Sequence, residues 1–148
     1  MSIKLIYDKY ENDIGFSFGH QYNEKEYEIL ETINDIPIKY SRKLDINTWG
    51  IKKHTPIKCD IVFDATLFNT KTDCDVKNLT GLDDIIQKSI KNHPMFDTIM
   101  ERIINEIEEK DPKSIGIYCN YGKHRSVGWA EIIKHLYYKN SYLNHYGI

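Results

Sequence analysis

Apolar residues recur at intervals of three or four positions in three stretches of the second half of the chain, and this spacing predicts three amphipathic helices. Pro94 and Pro112 fall between these stretches, where a proline ends one helix or begins another. Ahead of the first stretch, residues 80–83 match a capping box, with Thr80 as the N-cap and Asp83 at the third helical position. The apolar positions are Leu82, Ile85, Ile86 and Ile90, then Phe96, Ile99, Met100, Ile103 and Ile107, then Trp129, Ile132, Ile133 and Leu136.

Two short apolar runs, one before the first of these helices and one before the last, predict buried strands. Residues 61–63 form the first run, which ends at Asp64, and residues 115–118 form the second, which ends at Cys119. The resulting order is strand, two helices, strand, loop and helix. This order favours an α/β fold with a mainly parallel sheet flanked by helices.

The first part of the chain carries weaker patterns of the same kind. Residues 3–7 and 14–18 alternate like strands on either side of a turn-prone segment, and residues 24–33 have one apolar side that is typical of a helix. No repeat or linker separates this region from the rest. The sequence therefore predicts one α/β domain over residues 1–148.

Composition narrows the function classes. The chain has 148 residues, of which 41% are hydrophobic and 28% charged, as in ordinary globular proteins. A net charge of −2 argues against a protein that coats nucleic acid by charge alone. Three widely spaced cysteines, with no Cys-x-x-Cys, support neither a disulfide framework nor a zinc site. With no signal peptide and no apolar run approaching membrane-spanning length, we expect a cytoplasmic protein without membrane contact.

Residues 119–126 read Cys-Asn-Tyr-Gly-Lys-His-Arg-Ser and connect the second strand to the last helix. Arg125 offers a permanently charged fork for phosphate oxygens, and Gly122 allows a close approach of the backbone. Ser126 can cap the helix, whose dipole adds positive charge, and Lys123 and His124 add donors. This layout predicts an anion cradle at the end of a strand. The alternative is a tight strand-to-helix turn with solvated cations.

The spacing Cys-x-x-Gly-x-x-Arg-Ser also resembles the motif of cysteine-dependent phosphatases. That resemblance implies a thiolate nucleophile at Cys119 and a phosphate clamp at Arg125. Tyr118 stands where those enzymes usually have histidine. They also need an aspartic general acid, for which Asp64, Asp73, Asp75 and Asp83 are available. The alternative for Cys119 is a small buried hydrophobe at a strand end.

Further motifs follow one another along the chain. Residues 49–52 read Trp-Gly-Ile-Lys, Pro56 and the run 61–64 (Ile-Val-Phe-Asp) come next, and residues 80–83 read Thr-Gly-Leu-Asp. With the loop His-Arg-Ser-Val and a terminal Asn-His, these motifs resemble the C-terminal domain of the RapZ family of RNase adapters. The resemblance covers about residues 49–148. It leaves residues 1–48 as an extension packed on that domain, and the family's N-terminal kinase-like domain has no counterpart here.

The resemblance implies a fold like a subdomain of phosphofructokinase and a regulatory adaptor role rather than catalysis. It implies binding of a phosphorylated small molecule, such as the amino-sugar phosphate glucosamine-6-phosphate, or of RNA. No cofactor or metal is expected, and a protein partner and a homo-oligomer both stay open. Carried over residue by residue, the ligand-binding residues are Lys52, Asp64, Cys119, Asn120, Tyr121, Gly122, Lys123, His124, Arg125 and Ser126, with Thr80 and Gly81 nearby.

This chain departs from the family pattern at several of these positions. Asn120 and Tyr121 replace Thr-Gly after the cysteine, and Thr66 replaces an arginine. Simpler roles are open as well. Lys53 is as good a candidate as Lys52, Asp64 can act as a helix cap, and residues 80–81 read most simply as an N-cap turn.

Overall fold

The computed structural model describes residues 2–5, 41–72 and 74–148, and within them the chain forms a parallel sheet of five strands with three helices. The strand order is β1-β3-β4-β2-β5, and every pair of neighbours is parallel. The predicted α/β fold with a parallel sheet is confirmed. The elements are β1 (Ser2–Leu5), β2 (Asp45–Gly50), β3 (Ile61–Asp64), α1 (Asp84–Lys91), α2 (Phe96–Lys110), β4 (Ser114–Cys119), α3 (Arg125–Leu136) and β5 (Tyr142–His145).

Alternation along the strands divides the sheet into two unequal faces. One face joins all three helices in a large apolar core, to which β4 contributes Ile115 and Ile117. The other face carries a small cluster around Trp49, whose ring stacks on Tyr118 with centroids 5.7 Å apart. Gly116 leaves room for the indole, because a Cβ there would lie 2.6 Å from the Trp49 ring. The helices therefore bury one face, and aromatic packing on the strands buries the other.

The three predicted helices all form, but the first begins later than the capping-box pattern indicates. Residues 80–83 make the expected local bonds: the Thr80 N–H donates to Asp83 Oδ2 (2.7 Å), and Thr80 Oγ1 accepts the Leu82 N–H (3.1 Å). These bonds close a turn, and α1 starts only at Asp84 with Asp83 as its N-cap. The turn is held against α3, because the Gly81 N–H donates to the Lys123 carbonyl at 2.8 Å. Leu82 and Ile85, predicted on the apolar face, are exposed in consequence.

The sequence patterns did not predict β2 or β5. β2 lies between β4 and β5, and its buried residues include the polar Asn47 and Thr48. Both can be buried because their polar groups form hydrogen bonds. The Asn47 amide, for example, donates to the Ile115 carbonyl of the neighbouring strand. The strand predicted at residues 3–7 is present as β1, whereas the elements predicted at 14–18 and 24–33 lie outside the described residues. The packing of residues 1–48 on the domain and the likeness to phosphofructokinase stay predictions.

None of the described helices combines the length and the apolar character that crossing a membrane requires.

Candidate functional site

The candidate site lies at the carboxyl edge of the sheet, where two loops leave neighbouring parallel strands. Residues 65–72 follow β3, and residues 120–124 connect β4 to α3. A third segment, residues 74–83, packs against the second loop through Gly81, where an added Cβ would lie 2.6 Å from the His124 carbonyl oxygen. Ligands of open α/β sheets bind at this edge, so the fold places the sequence motif where a site is expected.

Tight glycine contacts hold the loop between β4 and α3. Gly122 has a φ of 73°, and a Cβ at this position would lie 2.4 Å from the nitrogen of Gly50. On the other side, a Cβ at Gly147 would lie 2.3 Å from the Gly122 carbonyl oxygen. The Lys52 N–H also donates to the Asn120 carbonyl at 3.0 Å. The loop backbone is therefore clamped between the segments that follow β2 and β5.

Cys119 lies beneath this loop and is 2% exposed. Its Sγ accepts the Gly122 N–H at 3.3 Å and lies 3.2 Å from the Oγ of Ser126, which is also buried. The sulfur therefore takes part in the internal bonding of the loop, and two donors can stabilise negative charge on it.

Arg125, the first residue of α3, reaches the loop that follows β3. Its Nη1 donates to the carbonyl oxygens of Thr66 (2.6 Å) and Phe68 (3.2 Å), and the Ala65 carbonyl lies at 3.5 Å. Its Nε and Nη2 make no hydrogen bond to the part of the chain that the structure describes. The guanidinium thus ties two loops together with one nitrogen and keeps donors for a ligand.

His124 and Lys123 bind the segment that precedes α1. His124 Nε2 lies 2.9 Å from the Val76 carbonyl oxygen and 2.7 Å from that of Leu79. Lys123 Nζ donates to the Lys77 carbonyl oxygen. The side chains of three successive cationic or titratable residues therefore bind backbone carbonyls. These hydrogen bonds hold the neighbouring segments against the loop.

A cleft of about 150 Å³ opens between these three segments. Among the described residues, the amides of Lys123 through Val127 donate no hydrogen bond within the protein, as expected at a helix N-terminus. Positive potential from the helix dipole and from Arg125 therefore acts at this place. The cleft is lined by Asn69, Thr70, Thr72, Val76, Ile86, Ile90, His124 and Arg125.

Asp64 is the last residue of β3, and both oxygens of its carboxylate accept hydrogen bonds from neighbouring residues. Oδ1 accepts the Thr66 N–H at 2.8 Å, and Oδ2 accepts the Tyr118 hydroxyl at 2.9 Å. Burial, together with the hydrogen bond to this carboxylate, raises the pKa of Tyr118 above its ordinary value. Asp64 thus fixes the start of the loop that carries the cleft wall.

Lys52 and Tyr121 do not line the cleft. The Tyr121 ring is 54% exposed, and the Nζ atoms of Lys52 and Lys53 lie 5.4 and 5.6 Å from its centroid. At these distances both lysines make cation–π contacts. We call these three residues the lysine–tyrosine patch. Of the ten predicted site residues, His124 and Arg125 line the cleft, Cys119 and Ser126 are buried beneath the loop, and Lys52 and Tyr121 belong to a separate surface patch.

Sequence reasoning did not single out the polar wall of the cleft, formed by Asn69, Thr70 and Thr72. Residues 69–78 read only as a polar loop. The place of this loop in the sequence could have identified it as part of the site. It directly follows the strand that ends in Asp64, and it must therefore emerge beside the cysteine loop. Within the described ranges, no group of three or more His, Cys, Asp or Glu side chains is placed to hold a metal ion.

Comparison with known proteins relates the chain to one family and to curated proteins of other organisms. A model of the family described as the RapZ C-terminal domain matches residues 42–146. A nucleotide-binding protein of Thermotoga sp. (strain RQ2) is 28% identical over 128 residues, covering 78% of this chain and 46% of the relative. The chain therefore spans about half the length of this curated relative.

Proposed function

The chain belongs to the RapZ C-terminal domain family, and we propose that it is a regulatory domain that binds a phosphorylated small molecule in the cleft. The observation that carries this proposal is the meeting of Arg125 and His124 in one cavity at the N-terminal end of α3. Phosphate oxygens are strong acceptors, and such a group of donors is the arrangement that proteins use for them.

The other walls of the cleft indicate the organic part of the ligand. Asn69, Thr70 and Thr72 give the cleft a polar wall that suits a hydroxylated or amino-substituted group. The Asn69 amide also donates to the Leu67 carbonyl, and the Thr72 hydroxyl donates to the Cys74 carbonyl, so Thr72 offers a ligand its acceptor oxygen. Ile86 and Ile90 supply an apolar side. These features support a phosphorylated sugar or amino sugar as the ligand class. RNA backbone is the other form of phosphate to be tested.

The test is thermal unfolding of the protein with sugar phosphates, nucleotides, inorganic phosphate and a short structured RNA. The name of the Thermotoga relative is the reason to include nucleotides. Stabilisation that rises with ligand concentration identifies a ligand of the folded state. A small phosphorylated ligand should be displaced by inorganic phosphate and depend weakly on salt, whereas RNA binding should fall steeply with salt. No stabilisation by any member at millimolar concentration would overturn the proposal.

Two variants locate the binding in the cleft. Arg125→Lys keeps a cation that can still reach the carbonyls of the β3 loop but removes the fork. We expect it to weaken phosphate binding by roughly 10- to 150-fold, which corresponds to about 1.5–3 kcal/mol for a charge-assisted contact. The matched control is Lys88→Gln, which removes a cation from the exposed side of α1. It should leave the affinity unchanged.

A second candidate function is a cysteine-dependent phosphatase, and one observation favours it. The amide of Gly122 and the hydroxyl of Ser126 both lie within hydrogen-bonding distance of the Cys119 sulfur, as a thiolate nucleophile needs. Against it, the carboxylate of Asp64 is occupied by Tyr118 and Thr66 and does not stand ready as a general acid. Release of phosphate from an aryl phosphate, lost in Cys119→Ser while anion binding persists, would establish this function.

A further inference from the structure

The ring of His124 can carry its first proton on only one of its two nitrogens. Nε2 lies 2.9 Å from the Val76 carbonyl oxygen and 2.7 Å from the Leu79 carbonyl oxygen. Carbonyl oxygens only accept hydrogen bonds, so Nε2 must keep its hydrogen whether the ring is neutral or charged. The surrounding backbone therefore fixes the tautomer, and Nδ1 is the atom at which the ring gains or loses a proton.

Nδ1 has no hydrogen-bond partner among the described residues, and the ring lines the cleft beside Arg125. In the neutral ring, Nδ1 presents a lone pair, which repels an anion. In the charged ring, it presents an N–H donor with a formal positive charge. The two carbonyl oxygens at Nε2 accept a hydrogen bond from the ring in both states.

The charged groups around the ring do not supply another partner for Nδ1. On the same loop, Lys123 extends to the Lys77 carbonyl, and on α3 the Arg125 guanidinium is anchored on the β3 loop. On the segment before α1, the Asp75 carboxylate accepts the Lys77 N–H and the Asp83 carboxylate accepts the Thr80 N–H. The remaining charged side chains nearby, Lys71 on the β3 loop and the pair of Asp84 with Lys88 on α1, are exposed.

We propose that binding of a tetrahedral dianion in the cleft is coupled to uptake of a proton at Nδ1 of His124. This inference rests on the proposed function and adds a regulatory property to the same site. The anion favours the charged ring, and the charged ring favours the anion, by the same factor in both directions. Ligand affinity then decreases as the pH rises, by at most about tenfold per pH unit for one linked proton. The domain thereby senses its ligand and the pH together.

Sulfate is the probe, because it stays a dianion across this pH range, whereas phosphate monoesters titrate near pH 6 themselves. Isothermal titration calorimetry of the full chain at pH 6.5, in two buffers of different ionisation enthalpy, measures the protons taken up on binding. We expect a clear fraction of one proton, and an affinity that falls by about tenfold between pH 6 and pH 8.

The decisive variant is His124→Gln, whose side-chain amide N–H can replace Nε2 as donor to the two carbonyls but cannot titrate. It should bind sulfate without proton uptake and with an affinity that no longer depends on pH. The control is His135→Gln, an exposed histidine on α3 that faces Glu131. It should behave like the unaltered protein.

The outcomes separate the two proposals. Sulfate binding without proton uptake, or uptake that persists in His124→Gln, would overturn the coupling and leave the proposed function in place. Absence of binding by sulfate and by inorganic phosphate, even at pH 6, would overturn both.

Discussion

The cleft and the lysine–tyrosine patch lie beside the same loop, and their cationic side chains are used in opposite ways. In the cleft, Arg125 and His124 are fixed by hydrogen bonds to carbonyl oxygens of two neighbouring segments. In the patch, Lys52 and Lys53 extend over the exposed ring of Tyr121. The cleft therefore offers a small number of positioned donors. The patch offers mobile charge on an aromatic surface.

This difference decides which of the two regions is expected to bind phosphate. A positioned donor loses little conformational freedom when a ligand binds, whereas a solvated lysine must be ordered at that moment. If charge alone mattered, the cleft and the patch would be equally good sites for phosphate, since each contributes two cationic or titratable residues. Preorganisation favours the cleft. The contrast depends on the loop backbone being held in place, so the strongest way to break it is to disturb that backbone.

The largest effect is expected from Gly122→Ala. This glycine has a φ of 73°, and an added Cβ would lie 2.4 Å from the nitrogen of Gly50 and 2.6 Å from the carbonyl carbon of Trp49, neither of which can move independently. Strain and overpacking should lower the free energy of unfolding by about 3 kcal/mol or more. Urea denaturation measures the change.

Gly128→Ala is the matched control. Its Cβ would lie 2.5 Å from Cδ1 of Ile90, the end of a side chain that can change rotamer, and at ordinary van der Waals distance from Ile86 and Gly81. Alanine is also the better helix former inside α3. It should change stability by less than about 1 kcal/mol. Equal effects of the two substitutions would show that the loop is not clamped, and the distinction between a fixed cleft and a mobile patch would fail.

A smaller effect is expected from Asp64→Ala, which tests how the cleft wall is supported. The substitution removes the acceptor of the Thr66 N–H and leaves the hydroxyl of the buried Tyr118 without its partner. Loss of these bonds should destabilise the protein by about 2 kcal/mol and weaken anion binding, because the loop that holds Arg125 loses its anchor. Asp84→Ala, at an exposed position with a surface ion pair, should be nearly neutral. An Asp64→Ala variant with unchanged stability but weaker anion binding would assign this carboxylate to the ligand instead.

The fold was more predictable from the sequence than the site. Apolar stripes along a helix, such as Ile99 to Ile107, mark buried positions in the sequence itself, and the apolar runs of β3 and β4 do the same. β2 escaped because Asn47 and Thr48 are buried through hydrogen bonds, which leave no apolar pattern. The loop motif predicted where donors would gather. It could not predict that Arg125 and His124 bind carbonyl oxygens, because every residue carries a carbonyl and only the folded chain shows which ones approach.

The protein should lose stability as the pH falls, because of His93, whose ring packs on the loop that follows β3. Burial lowers the pKa of His93, whose Nδ1 accepts the Met95 N–H and whose ring packs on Phe68 at 4.5 Å. A depressed pKa in the folded state means that this contribution is complete above the unfolded value of about 6.5 and is lost as the pH falls below it. The urea midpoint should therefore decrease from pH 7 to pH 5.5. His93→Gln should flatten this dependence, whereas an unchanged slope in that variant would assign it to other groups.

The smallest effects are expected in the patch, from the double substitution Lys52→Gln and Lys53→Gln and from Tyr121→Ala. All three side chains are exposed, and cation–π contacts at such sites contribute only about 0.5–1 kcal/mol. Because none of them lines the cleft, the affinity for inorganic phosphate should change by less than about twofold, the size of a surface effect on a charged ligand. Calorimetric titration of each variant measures it beside Arg125→Lys. A tenfold loss in the lysine variant would mean that the anion also contacts the patch, and the two regions would then form one site with preorganised donors at one end and mobile ones at the other.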